Sequence, residues 1–190
     1  MSHWKTLVAE YSSGNSDNVR MNPYTSGLLS IPHHFHTALE GKSFYSYRRD
    51  QAGGFSISGD YFMTIATPDT ATEILMALHI EVSAAVRITI FNGCTVTYDL
   101  SHGMDIRAIN DKDFESPVVS CYYNPTTISA YGDEIWDTSG IGTGIVMSAN
   151  PYCKEYVKWV LKRNNIYVIR LSGTATVNPF IFFDQVTPIN

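Results

Sequence analysis

The sequence predicts an all-β protein, an antiparallel β-sandwich of jelly-roll type with an extended N-terminal arm. Three observations carry this. Apolar and polar residues alternate with period two in run after run, as in Leu78, Ile80 and Val82 against His79 and Glu81. Turn residues punctuate those runs, among them Asn92-Gly93, Asn124-Pro125 and Asn164-Asn165. Composition agrees: aromatics make up 13% of 190 residues and charged residues only 16%, which suits half-buried strands and argues against a disordered chain.

Residues 1–31 read as the arm and residues 32–190 as one sandwich domain. In the arm, Ser12 to Asn18 is a polar coil and Thr6 to Tyr11 is too short of apolar anchors to fold alone. It either frays or orders against a neighbouring subunit, with Trp4, Tyr11 and Tyr24 as its anchors. Strand chemistry then takes over. Phe44–Tyr47, Phe55–Ile57 and Tyr61–Ala66 come first, followed by a turn at Thr67-Pro68-Asp69-Thr70. Ile74 to Val82 admits a helix, but its β-branched C-terminal half and the alternation of Arg87 to Phe91 favour strand.

Asn92-Gly93 is the strongest hairpin signal, asking for a type I′ turn between Arg87–Phe91 and Cys94–Tyr98. Ser101 to Ser116 reads as a polar loop. Val118–Tyr123 is a strand that Thr126–Tyr131 extends. Residues 132–144 hold Gly132, Gly140, Gly142 and Gly144 and read as a mobile surface loop. Glu155–Leu161 and Ile166–Leu171 are strands, and Ser172-Gly173 separates the latter from a last strand at Pro179–Asp184.

Several chemistries find little footing. The net charge is -5 and no Lys/Arg run exists, so a phosphate-tracking surface is not expected. Cys94, Cys121 and Cys153 lack zinc-ligand spacing and read as free thiols of a reducing cytoplasm. Neither a secretion signal nor a membrane span is recognisable, so the expectation is a soluble protein that binds no membrane. His33, His34 and His36 form the one metal-like cluster, with Glu40 as a further ligand; against this stands a strand entry whose histidines bond backbone or solvent. A Cys94–His102 pair competes with a small apolar Cys at a strand start. Asp133, Glu134 and Asp137 around Trp136 suggest a glycosidase pair or, more simply, solvating charges. Gly140 to Gly144 lacks the Lys of a phosphate-binding loop. Tyr122, Tyr123, Tyr131, Trp136 and Tyr152 suit either a sugar platform or a protein interface.

The order of pieces resembles a family. A His-rich segment runs into E-G-K-S-F, then A-T-P-D-T, the Asn92-Gly93 turn, a loop with Asn110, V-V-S-C-Y-Y-N-P-T, and the stretch Trp159 to Leu171. Over residues 32–186 this is similar to small auxiliary, decoration- or cement-type virion proteins of tailed bacteriophages. The loop A-I-N-D-K-D-F departs from that pattern in lacking an Arg-rich half. The resemblance implies a non-enzymatic β-sandwich, without cofactor or metal, that binds the major capsid protein lattice as a homo-oligomer, dimer or trimer. It implies assembly in the host cytoplasm and residence on the capsid surface. Contacts are expected from the arm and from the loops Ser101–Ser116 and Gly132–Gly144. Their candidate residues are Trp4, Tyr11, Tyr24, Asn110, Asp113, Phe114, Tyr131 and Trp136. A head-fibre base, a head-tail adaptor and a carbohydrate-binding sandwich are the alternatives.

Overall fold

The computed structural model describes residues 6–10, 16–21, 28–30, 41–48, 54–110, 115–141, 144–147 and 159–186. Its strands, in chain order, begin with β1 (Thr6–Glu10), β2 (Ser16–Met21) and β3 (Leu28–Ser30), an antiparallel meander within the arm. The body follows with β4 (Ser43–Tyr47), β5 (Phe55–Thr67), β6 (Glu73–Val82), β7 (Val86–Asn92), β8 (Thr95–Thr97) and β9 (Asp105–Ala108). Then come β10 (Ser120–Tyr123), β11 (Thr127–Ala130), β12 (Asp133–Ile141), β13 (Gly144–Met147), β14 (Trp159–Leu161) and β15 (Asn165–Val186). A 3-10 turn at Leu100–His102 is the only helical piece among the described residues. The all-β antiparallel body expected from alternation is present.

The spine is β15, 22 residues long. On one side β5 runs against residues 165–177 and β4 against residues 181–184. On the other side β7 runs against residues 167–173 and β6 against residues 177–186. The next rank outward repeats this division. Strand β10 pairs β5 and β9 pairs β4, while β12 pairs β7, and β13 and β14 pair β6. The sheet is thus five ranks wide. Inward residues from both ends of β15, including Ile169, Leu171, Ile181 and Phe183, join Phe44, Met63, Met76, Ile80 and Ile90 in one buried cluster. One core serving both ends means that the sheet curls over itself into a nearly closed body.

Backbone chemistry explains how a proline tolerates the spine. Thr176 exchanges hydrogen bonds with Ser83, whereas Gln185 donates its N–H to the Lys42 carbonyl. Even-numbered residues here therefore aim their N–H at β6 and β7, and odd-numbered ones at β4 and β5. Pro179 is odd and has no N–H. It falls in the interval where pairing with β5 has ended at Val177 and pairing with β4 has not begun at Ile181.

Five local expectations are corrected. Asn92-Gly93 does not close a hairpin, because β7 and β8 are not paired. Both edges of β7 are already taken, by β15 and β12. Gly93 has φ +75° but Asn92 keeps a negative φ, so the turn is not type I′. Instead the Asn92 side chain is buried and accepts a hydrogen bond from Asn165 Nδ2. Ser172-Gly173 does not break the chain either; β15 runs through it. Residues 132–144 are mostly not a loop but edge strand β12, and Ser101–Ser116 contains β9. Finally, Thr127–Ala130 does not extend β10 but pairs β8 as a separate ribbon. That ribbon covers a second cluster, in which Val96 and Ile128 pack on Phe91, Cys94 and Val168.

Gly173 sits where β15 passes the corner between β6 and β7, with φ +157°. A Cβ there would lie 2.8 Å from the Ala85 carbonyl oxygen. We expect Gly173→Val to destabilise by about 1–3 kcal/mol in urea unfolding, as overpacking does. The neighbouring exposed Thr174→Ala should shift stability by no more than about 0.5 kcal/mol.

Candidate protein-contact surface

A strand at a sheet margin leaves one row of backbone donors and acceptors unpaired. Strand β12 is in this position, since among the described residues no strand pairs its outer margin. Even-numbered residues of β15 face β7, and their partners there are odd-numbered, as in Val168–Phe91 and Arg170–Thr89, so odd-numbered residues of β7 face β15 and even-numbered ones face β12. Asp133, Trp136 and Thr138, opposite Asn92, Ile90 and Ile88, therefore bond into the sheet. Glu134 and Asp137, opposite Phe91 and Thr89, aim their N–H and C=O outward. The register slips between Glu134 and Trp136, and the extra residue is Ile135. It is 39% exposed, unusual for a large aliphatic on a strand. Tyr131, at the entry to β12, is 37% exposed.

Behind this margin the side chains are held firmly. Tyr131 meets Phe91 with ring centroids 4.9 Å apart and Phe62 at 6.2 Å. The Arg170 guanidinium lies 5.2 Å from the Phe91 centroid and 6.0 Å from that of Tyr131. Its Nε is buried without a hydrogen-bond partner, and the two ring faces compensate part of that cost. Asp137 accepts from Arg87 Nε at 2.9 Å, Arg87 Nη2 at 2.8 Å and Thr89 Oγ1 at 2.9 Å. The Arg87 bonds hold its carboxyl below the usual range, so it stays ionised. A carboxylate engaged by three donors is fixed in place on the sheet. Trp136 turns to the core margin and meets Trp159 edge-on, centroids 5.8 Å apart.

The candidate residues thus divide. Tyr131 and Trp136 belong to one strand and its entry. Asn110 is half-buried just beyond β9, away from β12 in the pairing order. Trp4, Tyr11, Tyr24, Asp113 and Phe114 lie outside the described residues, as do His33, His34, His36, Glu40, Tyr152 and Cys153. The described residues contain no group of three or more His, Cys, Asp or Glu placed to hold a metal ion. Cys94 does not pair with His102: its thiol donates to the Tyr131 carbonyl at 2.8 Å, while His102 Nδ1 lies 3.2 Å from the Asn124 carbonyl. Tyr122 stacks on Tyr98, and Tyr123 stacks on His102 with the Arg48 guanidinium 4.0 Å from its ring centroid.

Comparison with known protein families, curated proteins and solved structures yields no match. The surface must be read from its own chemistry.

One feature of that chemistry escaped the sequence reading. On β4 and β15, Tyr45, Tyr47, Phe180 and Phe182 form a ring strip on the outer face of the sheet. The signal was available: aromatics stand two apart on each strand, with core residues Phe44, Ile181 and Phe183 alternating between or beside them.

Burial pushes the Cys94 thiol from its ordinary 9.0 up to about 11 and that of Cys121 up to about 12. Neither should react with a thiol reagent at neutral pH until the chain is unfolded. The folded form holds these protons more tightly than the unfolded one. Their contribution is therefore complete below pH 9 and is lost as pH rises through about 11 to 12, which urea titrations across that window will show.

Proposed function

We propose that this chain is a non-enzymatic structural protein of a tailed-phage virion that binds the major capsid protein lattice. The supporting observation is the β12 margin. It offers unpaired backbone groups beside exposed Ile135 and Tyr131, mounted on side chains that are themselves locked by ring contacts and a bidentate ion pair. Rigid apolar anchors beside backbone donors are what a protein partner needs to add contacts at low entropic cost. The register shifts of β12, with Asp133 and Glu134 beside them, discourage indiscriminate strand pairing, which suits a chosen partner over self-aggregation.

The resemblance of residues 32–186 to decoration-type proteins supplies the setting. In that setting the chain is a dimer or trimer, and weak contacts sum over many lattice points. Residence on the capsid surface follows from the same reading.

Purified protein should co-sediment with assembled shells and not with unassembled capsid subunits. Ile135→Lys, at an exposed position, should weaken shell binding about tenfold without altering thermal unfolding. Quantitative mass spectrometry of purified particles should find the chain in fixed ratio to the major shell protein. A few copies at one vertex would replace decoration by an adaptor or fibre-base role. Particles without the chain would remove the virion reading.

A further inference from the structure

Strand β7 ends on a chemically labile pair. Asn92-Gly93 is the one Asn-Gly in the sequence; Asn22, Asn124, Asn150 and Asn178 each precede proline, whose nitrogen carries no proton. In an Asn-Gly pair the glycine backbone nitrogen can attack the asparagine Cγ, because no side chain crowds the approach. A C–N bond forms, the side-chain nitrogen leaves as ammonia, and a five-membered imide remains. Water then opens the imide at one carbonyl or the other. One product is an aspartate at this position. The other is an isoaspartyl link, in which the main chain runs through the former side chain.

The folded body blocks the first step from three directions. Asn92 is 7% exposed, and its side-chain oxygen accepts a hydrogen bond from Asn165 Nδ2. Asn165 is itself fixed: its N–H donates to Thr67 Oγ1 at 3.0 Å, and Thr67 Oγ1 donates to the Lys162 carbonyl at 2.7 Å. Asn92 also pairs with Tyr167 on one margin and Asp133 on the other. Ring closure needs Cγ and the Gly93 nitrogen to swing together, a rotation that a residue paired on both margins cannot make. Finally, the entry to β12 rests on this peptide. A Cβ at Gly132 would lie 2.7 Å from the Gly93 carbonyl oxygen and closer still to that of Asn92. Gly93 itself is exposed, so these contacts, and not a lack of water, hold the reaction back.

We infer that Asn92-Gly93 is a modification site gated by unfolding, closed in the folded body and open in the unfolded chain, whose products bar the way back. An aspartate here would bury a carboxylate opposite Asp133 of β12, and like charges directly opposite one another destabilise a sheet. The Asn165 amide offers one donor against that burial and no charge. The isoaspartyl link lengthens the main chain by one atom just before Cys94, whose N–H bonds to the Ile166 carbonyl at 3.0 Å. It also pushes the peptide into the space beside Gly132. Both products strike the corner where β7, β12 and β15 meet.

A chain that opens briefly keeps its amide, because reclosing outruns ring formation. A chain that stays open is modified and cannot return. The pair thus turns a reversible unfolding into a permanent one, with a delay set by the imide chemistry. Long-unfolded copies leave the folding equilibrium, and folded copies are untouched.

The test holds the full chain at mildly alkaline pH, once in native buffer and once in urea, and follows the peptide containing Asn92 by mass spectrometry. Conversion in urea should be at least about a hundredfold faster than in native buffer, since protection follows the free energy of opening. Refolding after dilution, read by tryptophan fluorescence, should fail in the same fraction of chains as has been converted. A Cβ at Gly93 meets no atom within 4 Å, so Gly93→Ala makes no clash in the fold, while its methyl group crowds the attacking nitrogen. In urea this variant should convert, and lose refolding, several-fold more slowly. Asn165→Ala frees the Asn92 amide and should raise the native rate about fivefold while leaving the urea rate unchanged. Equal rates in native buffer and urea, full refolding of converted chains, a native rate of Asn165→Ala equal to that of the parent chain, or loss of refolding by Gly93→Ala as fast as by the parent chain would each overturn the proposal.

Discussion

Everything in the body depends on the pairing of β15 along both of its margins. A strand buried in the middle of a sheet has no alternative partner for its backbone groups, and each one left unpaired costs on the order of 1–3 kcal/mol. Strands β4 and β5 satisfy one margin, β6 and β7 the other, and the interruptions in these flanks fall near one another along β15. Pro179 and Gly173 fit this arrangement from opposite directions. One lacks a donor where no acceptor waits, and the other lacks a Cβ where the Ala85 carbonyl presses in. The spine is also distant in sequence from most strands it joins. Its contacts with β4 close loops of well over a hundred residues, a topology that folds slowly because loop entropy is lost before the pairing repays it.

This dependence explains what could be read from the sequence. Strands whose inner face is buried and outer face is not carry their own record in alternation, and β5, β6, β7 and the first half of β15 were visible for that reason. What failed was decided by neighbours. Asn92-Gly93 has the local chemistry of a hairpin, but β15 and β12 occupy both margins of β7, so the chain leaves the sheet there. Ser172-Gly173 has the chemistry of a turn, but its glycine serves a close approach between strands. Strand β12 is polar and glycine-rich because it is a margin, and a margin strand resembles a loop in composition. In the candidate surface, Tyr131 and Trp136 were recognisable as aromatics in a polar stretch. Ile135 was not, since only the register slip turns it outward.

The outer faces of the two ends of β15 have different fates. At the β5–β7 end, ribbon β8–β11 covers Phe91 and Val168, and the chain spends its own residues to close that face. Arg170 sits at the boundary of this cover, its charge held by Thr89 and two rings while Asp137 supplies the nearby negative field. At the β4–β6 end the outer residues are aromatic yet no strand of the described residues lies over them. Aromatic side chains on an outer face shed solvent partly by stacking on each other, which is why Tyr45, Tyr47, Phe180 and Phe182 are half-buried rather than exposed.

That difference leaves two distinct surfaces on one module. Strand β12 rests on the β7 side of the spine, and the ring strip lies on the β4 side. Both surfaces join through β15, whose inward residues share one core. Close-packed interiors deform little, so a ligand at one surface has no soft element through which to disturb the other. The two surfaces should then act additively, as sites without a shared partner do. A module built this way gains nothing from a conformational switch. The continuous 22-residue strand between the β12 margin and the ring strip is the element that fixes their separation.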